Sequence, residues 1–384
     1  VLGENGIITQ AKKAKKETNE ANQRGDQELS DLDARLDELV GDEAETTKPY
    51  MPGDTFTVVA GTTLDNGLTI QDTDGNQYVW VEVPKTTTVY PNAGLNITEF
   101  TTDDYKNIEN DLHTYTMTYR KGKSTIETSY KDEWYPDSNN ATDWYTPEQY
   151  TAQKQKMLKS VYQNGGFWVA KYEAGLTEKN KRTSKTPAPT IAPQSKANLV
   201  PYTWVTTTES KKLAEMVTYT KGETTYKGSL MFGVQWDLVL KFIETKKIAT
   251  DAKIVSKLNS GSKTIGNYND NQWNITNTVA KYSTDYGSTF NACPYQKTSN
   301  ASVLLTTGAD SSFSLMNIYD IAGNVWEETL EYTSDSSDSP DSWYPCADRG
   351  GFYYSTGSSL PASYRGKGGT TGSTYFVGFR LSLY

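Results

Sequence analysis

The pattern of hydrophobic positions changes from a helical to a β-type spacing near residue 55. Upstream of that point, leucines recur at three- and four-residue spacing from Leu29 to Leu39, which forms one apolar stripe along a helix. The stretch before the stripe is rich in Lys, Ala and Glu, which favour helix formation. The pattern therefore predicts a helical stalk over residues 1–45.

Short alternating runs after the stalk are typical of β-strands. They cover residues 55–59, 68–70 and 78–83, and Asp-Gly-Asn at 74–76 is a hairpin turn signal between the last two runs. A calcium-binding loop would need further ligands that this stretch lacks, which favours a plain turn.

Residues 85–150 are polar and rich in Tyr, Thr and Asp. This composition predicts an insertion that decorates the body, has no core of its own and includes one helix near residues 102–113. Further along, hydrophobic spacing predicts the remaining elements. They are a strand over 165–175, a Lys/Pro/Thr-rich loop over 178–198, helices over 208–217 and 233–247, and an Asn-rich loop over 267–277.

The most specific internal motif is LMNIYDIAGNVWEE at residues 315–328. Its Gly-Asn dipeptide suits a tight turn, and Trp326 is a large side chain suited to the core beside that turn. Arg380, close to the end of the sequence, is expected to pair with Glu327 or Glu328 beneath the loop face. These residues are predicted to build scaffold rather than a reactive site.

The C-terminal region places a segment rich in small and aromatic residues between two predicted strands. Arg-Gly-Gly at 349–351 and Gly-Phe-Arg-Leu-Ser-Leu-Tyr at 378–384 frame residues 352–376, of which 14 are Gly, Ser or Thr and six are Tyr or Phe. Small residues adapt and hydrogen-bond, while aromatic side chains provide contact area with few rotors to restrict. The composition predicts a ligand-binding loop face, with an ordinary Gly/Ser-rich loop as the alternative.

We expect this face to be contiguous and its apolar side chains to be more exposed than usual. Aromatic rings pack on protein surfaces and stack on sugars, so the expected partner is a protein or a glycan. The predicted ligand-binding residues are Phe352, Tyr354, Ser355, Thr356, Ser358, Ser359, Leu360, Gly366, Gly368, Gly369, Gly372, Thr374, Tyr375 and Phe376.

Composition narrows the classes of function. The chain has 384 residues, a net charge of −9 and no basic stripe, which argues against nucleic acid as a partner. It contains 27 Tyr and 9 Trp, yet its mean hydropathy is −0.68, so much aromatic surface is expected to be half-exposed. Such a composition, with few cysteines, suits a secreted or surface-displayed bacterial protein.

Residues suited to catalysis or metal binding are few. His113 is the only histidine, so no His-based metal site or catalytic triad is expected. Nucleophile-elbow, phosphate-loop and dinucleotide-binding motifs are absent from the sequence. Cys293 and Cys346 form either a disulfide or two buried free thiols. The sequence therefore predicts no catalytic residues, no cofactor and no metal site.

Six sequence blocks occur in the order found in the formylglycine-generating-enzyme-like branch of the C-type lectin fold. They are QYVWVEV (77–83), GGFWVAKYEAG (165–175), MFGVQWDLVLKFI (231–243), the 315–328 motif, RGG (349–351) and GFRLSLY (378–384). This resemblance implies an α+β C-type lectin domain over residues 55–384. The catalytic branch of the family uses a cysteine pair shortly after RGG, and no cysteine follows Gly351 here.

The C-terminal region, with RGG at 349–351, a loop segment and GFRLSLY at 378–384, resembles that of the variable proteins of diversity-generating retroelements, which share the C-type lectin fold. In those proteins a reverse transcriptase mutates adenines, and nearly every residue type found in 352–376 is reachable from a mutagenised AAY codon. Lys367 departs from that set. The resemblance implies a variable loop region within residues 349–384, with a constant block at 361–365 between two variable patches.

Residues 1–23 resemble the stretch that follows the hydrophobic N-terminal helix of type IV pilin-like proteins of clostridial bacteria. This resemblance implies an upstream leader and an apolar helix outside the given sequence, through which alone the protein would contact a membrane. It also implies contacts with other pilin subunits through the N-terminal helix, and an extracellular position on the surface or pilus of a bacterium.

Together these patterns favour a surface-displayed, receptor- or adhesin-like protein that binds a ligand through its C-terminal loop face and is not an enzyme. Two alternatives of other classes stay open. One is an enzyme of the sulfatase-modifying type, and the other is a structural pilin subunit without a specific ligand.

Overall fold

Helices and sheets are mixed along residues 49–121, 130–137, 142–333 and 345–384, the part of the chain that the computed structural model describes. The architecture is therefore α+β, as expected. The predicted stalk over residues 1–45 lies outside the described residues. Within the described ranges, no helix combines the length and the apolar character that crossing a membrane requires.

The predicted hairpin forms one side of a six-stranded sheet. Trp80 and Trp168 face each other across two of its strands, with ring centroids 5.1 Å apart, and both are fully buried. All neighbouring strands pair antiparallel, and the last strand of the chain lies inside the sheet. In spatial order the strands are β1 (Thr57–Val58), β2 (Thr69–Gln71), β3 (Gln77–Glu82), β5 (Gly166–Ala170), β22 (Leu381–Leu383) and β10 (Ser229–Leu230).

A five-stranded sheet carries the C-terminal motifs. Its strands are β20 (Arg365–Gly368), β19 (Cys346–Arg349), β18 (Trp326–Thr333) and β21 (Val377–Phe379), with β4 (Tyr130–Lys131) paired to the far end of β18. Strand β18 pairs antiparallel with β19 and parallel with β21. Residues 352–376, the predicted binding segment, therefore leave from one neighbour of β18 and return to the other.

Short strand pairs complete the β-structure. The predicted Asn-rich loop over 267–277 contains a strand, because Ile275 is fully buried in an apolar cluster and pairs with Tyr295. The pairs are β6 (Gly175–Leu176) with β7 (Val200–Pro201), β8 (Thr218–Lys221) with β9 (Thr224–Lys227), β11 (Trp273–Ile275) with β14 (Tyr295–Lys297), β12 (Lys281–Ser283) with β13 (Asn291–Ala292) and β15 (Leu304–Leu305), and β16 (Ser314–Leu315) with β17 (Ile318–Tyr319).

Each of the three helices predicted between residues 102 and 247 is present in the structure. The helix over 233–247 is confirmed with its bounds, and Trp236, Leu240 and Ile243 are buried along it as expected. The helices are α1 (Thr102–Tyr115), α2 (Met117–Lys121), α3 (Pro147–Asn164), α4 (Thr207–Met216), α5 (Gly233–Lys247) and α6 (Ile254–Asn259), with 3₁₀ turns at Glu178–Asn180, Ser262–Thr264 and Ser311–Phe313.

Helix α3 was not predicted, although its ends carry strong signals. Thr146 and Gln149 form a reciprocal capping box, and Gly165 ends the helix in the left-handed conformation. The helix starts inside the polar segment 85–150 and continues beyond it, so the segment boundary drawn from composition cuts through it.

The segment 85–150 does more than decorate the body. Ile108 and Leu112 of α1 are fully buried. The Asp132 carboxylate accepts hydrogen bonds from the backbone N–H groups of Gly233 (2.7 Å) and Val234 (3.0 Å) at the start of α5. A helix start leaves such donors unpaired, so Asp132 satisfies groups that the body of the protein would otherwise bury without partners.

Four buried charges form a closed ring between α5 and the five-stranded sheet. Asp237 bonds Arg349 at 2.6 Å and Arg365 at 2.5 Å. Glu331 bonds the same two guanidinium groups at 3.0 and 2.9 Å. All four side chains are at most 2% exposed, so each charge depends on the two opposite charges of the ring for compensation.

Arg349→Ala should lower the free energy of unfolding by about 3–5 kcal/mol, because it leaves buried carboxylates short of a cation. Urea denaturation measures the loss. The matched control is Lys212→Ala, which breaks an ion pair with Asp143 whose side chains are 60% and 55% exposed. That change should cost less than about 1 kcal/mol. Equal losses for the two variants would show that the ring does not stabilise the fold.

Candidate ligand-binding face

The Arg-Gly-Gly motif turns the chain out of β19. Arg349 belongs to the charge ring, and both following glycines have positive φ, +91° at Gly350 and +78° at Gly351. A Cβ atom on Gly351 would lie 2.3 Å from the carbonyl oxygen of Leu360. Glycine is therefore required both for the backbone conformation and for the close return of the loop.

The first part of the predicted segment is fixed against residues 262–271. The hydroxyl of Tyr268 lies 2.8 Å from the carbonyl oxygen of Gly350 and 2.9 Å from that of Leu360. The N–H of Gly357 donates to the Asp270 carboxylate at 2.9 Å. This loop is consequently held by specific hydrogen bonds at its start, middle and end.

The buried Lys297 stabilises residues 269–271, which belong to the segment that holds the loop. The ammonium group of Lys297 donates to the carbonyl oxygens of Asn269 (3.0 Å) and Asn271 (2.6 Å). Burial lowers the pKa of Lys297 to about 8, and the nearby Asp270 carboxylate offsets only part of that shift. Asn269 also donates its backbone N–H to the carbonyl of Ser355, which links this lysine to the predicted face.

Aromatic rings from three chain segments meet at the surface. Phe352 stacks on Phe376 at 4.7 Å and lies 6.5 Å from Tyr354, while Tyr375 meets Phe376 edge-on at 5.0 Å. Tyr286 lies 4.7 Å from Tyr375 and 6.2 Å from Tyr354. These separations are those of interacting aromatic pairs. We call these five residues the aromatic face.

Tyr286 is the member of the aromatic face that the sequence did not reveal. It has φ +61°, and the turn around it is fixed by bonds from Gly287 N–H to Ser283 and from Thr289 N–H to Asp285, both 2.9 Å. The Ser, Asp and Gly residues of this turn are a recognisable turn signal. Only the folded chain places the turn beside Tyr375.

The aromatic face rests on a buried floor. Trp326 is 6% exposed, which confirms its predicted burial, and its ring lies 5.8 Å from Phe352. An apolar cluster that includes Val325 and Tyr353 packs against Tyr375 and Phe376. The backbone N–H of Trp326 donates to the carbonyl of Phe376 at 2.8 Å, which joins β18 to the face.

The structure brings some of the predicted binding residues together and separates others. Tyr354 is 50% exposed, whereas Phe352, Leu360, Tyr375 and Phe376 are half-buried because they pack on one another and on the floor. Gly366 lies against the edge of Trp326. The loop fixed to residues 262–271 carries four of the other predicted positions, Ser355, Thr356, Ser358 and Ser359. Strand β20 and the connection from β20 to β21 carry the remaining four, Gly368, Gly369, Gly372 and Thr374.

A separate cleft borders this second connection. Thr371 lines it together with Lys185, Lys212 and the two threonines that flank the first residue of α4, Thr206 and Thr208. The segment 352–376 therefore contributes to two surfaces, the aromatic face and this cleft.

Arg380 pairs with Glu327, the first of the two partners that the sequence allows. Its guanidinium donates to the Glu327 carboxylate at 2.6, 3.0 and 3.1 Å, and both groups are buried. Burial raises the pKa of Glu327 while the arginine opposes that rise. Nearby, Asn324 has φ +57° in the predicted turn and donates to Glu173 at 2.7 Å.

Glu328 faces a second carboxyl group instead. It is the cross-strand neighbour of Asp348, and both side chains are buried. Burial raises the pKa of Asp348 to about 7 and, together with the neighbouring Asp348, holds the pKa of Glu328 well above its usual range. The pair therefore retains at least one proton at neutral pH.

The two cysteines are free thiols, so the disulfide alternative is wrong. Cys293 packs in an apolar cluster with Ile275 and Phe313. Cys346 lies 3.1 Å from the hydroxyl of Thr207. Burial raises the pKa of both thiols, and the neighbouring Glu328 raises that of Cys346 further.

Asp348→Asn should raise the melting temperature at pH 8 but change it little at pH 5. The pKa of Asp348 is higher in the folded chain than in the unfolded one, so its contribution to stability is lost as the pH rises through about 7. Asparagine avoids the buried charge. Asp320, which also titrates near 7, is present in both proteins and cancels in the comparison.

Thermal unfolding at the two pH values measures this difference. Asp143→Asn is the control, because a lysine lowers the pKa of that exposed carboxyl below both pH values. Its effect should be the same at pH 5 and pH 8. Melting curves of Asp348→Asn that run parallel to those of the wild type would exclude a raised pKa at this position.

No family profile and no curated protein matches the chain. Among solved structures, it is similar to Treponema denticola variable protein 1, with a TM-score of 0.32 and 13% identity, covering 57% of this chain and 84% of that one. It is also similar to CarF, with a TM-score of 0.31 and 11% identity, covering 56% of this chain and 85% of that one. Both TM-scores lie below 0.5.

Proposed function

We propose that this protein is a ligand-binding receptor whose contact surface is the aromatic face, and that residues 352–376 are diversified by retroelement mutagenesis. The observation that carries the proposal is the meeting of five aromatic rings from three chain segments at the surface of a fixed backbone. An exposed aromatic cluster of this kind usually marks an interaction site.

The geometry of the aromatic face suits a protein or glycan ligand. Tyr286 and Tyr354 are 48% and 50% exposed, so their rings are available for contact and their hydroxyls for hydrogen bonds. Phe352 stacks on Phe376 and also lies beside Tyr354, and these contacts limit the motion of the Tyr354 ring. Side chains that are already ordered lose little conformational entropy on binding, which favours affinity.

The distribution of burial within residues 352–376 suits diversification. Tyr353 and Arg365 are at most 5% exposed; the first belongs to the apolar floor and the second to the charge ring. Tyr354, Ser358 and Ser359 are exposed. Replacing the exposed residues would alter the contact surface at little cost to the fold, because they carry few of the buried contacts.

Surface display belongs to the proposal as well. The domain is proposed to be a C-type lectin domain, which the ordered sequence motifs support. Residues 1–45 are proposed to form a pilin-like stalk that contacts other pilin subunits and presents the domain on a bacterial surface or pilus. The resemblance of residues 1–23 supports this part.

Binding without catalysis is favoured over a sulfatase-modifying activity. A thiolate copper site needs two sulfur atoms close together. Cys293 packs in an apolar cluster, whereas Cys346 lies in β19 beside Thr207 and Glu328, so the two thiols have different surroundings. Their raised pKa values also disfavour the thiolate form.

Sequences of this locus from many sister cells should vary at exposed positions and stay constant at buried ones. Within residues 352–376, Tyr354 and Ser358 should differ between cells, whereas Tyr353 and Arg365 should not, because the latter two hold the floor and the charge ring. Deep sequencing of the locus measures this. An invariant segment would favour a structural pilin subunit instead.

The double variant Tyr286→Ala/Tyr354→Ala should bind about 30-fold more weakly to whatever the wild type captures on arrays of glycans and purified extracellular proteins. Its melting temperature should stay close to that of the wild type, since both rings are half exposed. Met216→Ala, which removes an exposed apolar side chain at the end of α4, is the matched control and should bind normally.

Trp326→Ala is the control for a change in the core, because the cavity that it leaves should lower the free energy of unfolding by about 3–5 kcal/mol. If the double variant unfolds as readily as Trp326→Ala, its rings belong to the core. The aromatic face would then not be a binding surface.

A further inference from the structure

The only histidine of the chain lies in a cluster that the sequence did not predict. His113 and Glu109 are four residues apart on α1 and therefore share one face of the helix. Asp132, from the segment that follows β4, completes the group. One ligand atom from each of these three side chains lies within 4.8 Å of the others.

The Nε2 atom of His113 is buried and has no hydrogen-bond partner in the part of the chain that the structure describes. It lies 3.9 Å from Oδ2 of Asp132, which is too far for a hydrogen bond. A buried nitrogen in this condition costs free energy that a bound cation would recover. The Nε2 atom of the imidazole is thus available as a metal ligand.

A lysine already pairs with one of the two carboxylates. The Lys154 ammonium lies 2.8 and 3.0 Å from the oxygens of Glu109 and donates to the backbone carbonyl of Asp132 at 2.7 Å. It donates no hydrogen bond to the imidazole, whose Nε2 atom has only the longer ion-pair contact with Asp132 in the described residues. Lys154 therefore acts as an internal cation for part of the cluster and would compete with a metal ion for Glu109.

We propose that Glu109, His113 and Asp132 form a zinc site, with Lys154 as the competing internal cation. One imidazole nitrogen and two carboxylate oxygens are a ligand set that Zn²⁺ accepts, with water in the fourth position. Ligand bonds of about 2.0–2.2 Å require the group to contract. Glu109 provides this movement, because its flexible side chain is 17% exposed.

The site would join α1 to the body of the protein. Asp132 receives two backbone hydrogen bonds from the start of α5, so its carboxylate is already oriented before a metal binds. A zinc ion would connect that carboxylate to two side chains of α1. This proposal does not depend on the aromatic face and survives the failure of the receptor function.

The test is calorimetric titration of the EDTA-treated, dialysed full chain with zinc chloride. One ion should bind per chain with a micromolar dissociation constant, and His113→Gln should weaken binding by about 100-fold. Lys154→Met should strengthen binding, because it removes the competitor for Glu109. Asp143→Asn, which changes an exposed carboxylate elsewhere, should bind as the wild type does.

Because the chain has one histidine, NMR supplies an independent readout. The imidazole signals of His113 should shift on addition of one equivalent of zinc, and the melting temperature of metal-free His113→Gln should match that of the metal-free wild type. Absence of binding by the wild type, or unchanged binding by His113→Gln, would overturn the site. Weaker zinc binding by Lys154→Met would overturn the proposal that Lys154 competes with the metal for Glu109.

Discussion

Compensation among four buried charges is the constraint on which the rest of this structure depends. Arg349 and Arg365 lie at the start and in the middle of the C-terminal region, and both are held by Asp237 of α5 and Glu331 of β18. Removing any one member leaves the others buried without balance. The close packing extends to Gly233, where a Cβ atom would lie 2.3 Å from Cδ of Glu331.

This ring lets one segment combine a constant framework with a changeable surface. Arg349 precedes the loop that contains Phe352 and Tyr354, and Arg365 precedes the connection that ends at Tyr375 and Phe376. Both loops are therefore anchored by contacts beneath them. Their outward-facing side chains contribute little to that anchoring, which separates the requirements of folding from those of binding.

Elements with a local signal in the sequence are predictable from it, whereas features that depend on contacts between distant segments are not. The helix Gly233–Lys247 follows from periodicity. The sequence motifs also predict that Arg380 pairs with Glu327 or Glu328, and the structure selects Glu327. Tyr286 joins the aromatic face, and His113 meets Asp132, only through packing between elements far apart in sequence. Helix α3 differs, because its capping box was present in the sequence and a boundary drawn from composition obscured it.

The buried polar groups explain why the binding segment can change without disturbing the fold. A framework held mainly by apolar contacts with its loops would tolerate few loop substitutions, since each would leave a cavity or a clash. Here the loop backbone is held through carbonyl and N–H groups, by Tyr268, Asp270 and the N–H of Trp326. Backbone groups are the same for nearly every residue type. Hydrogen bonds to them therefore persist when side chains are exchanged, so the conformation that presents the aromatic face does not require any one set of exposed residues.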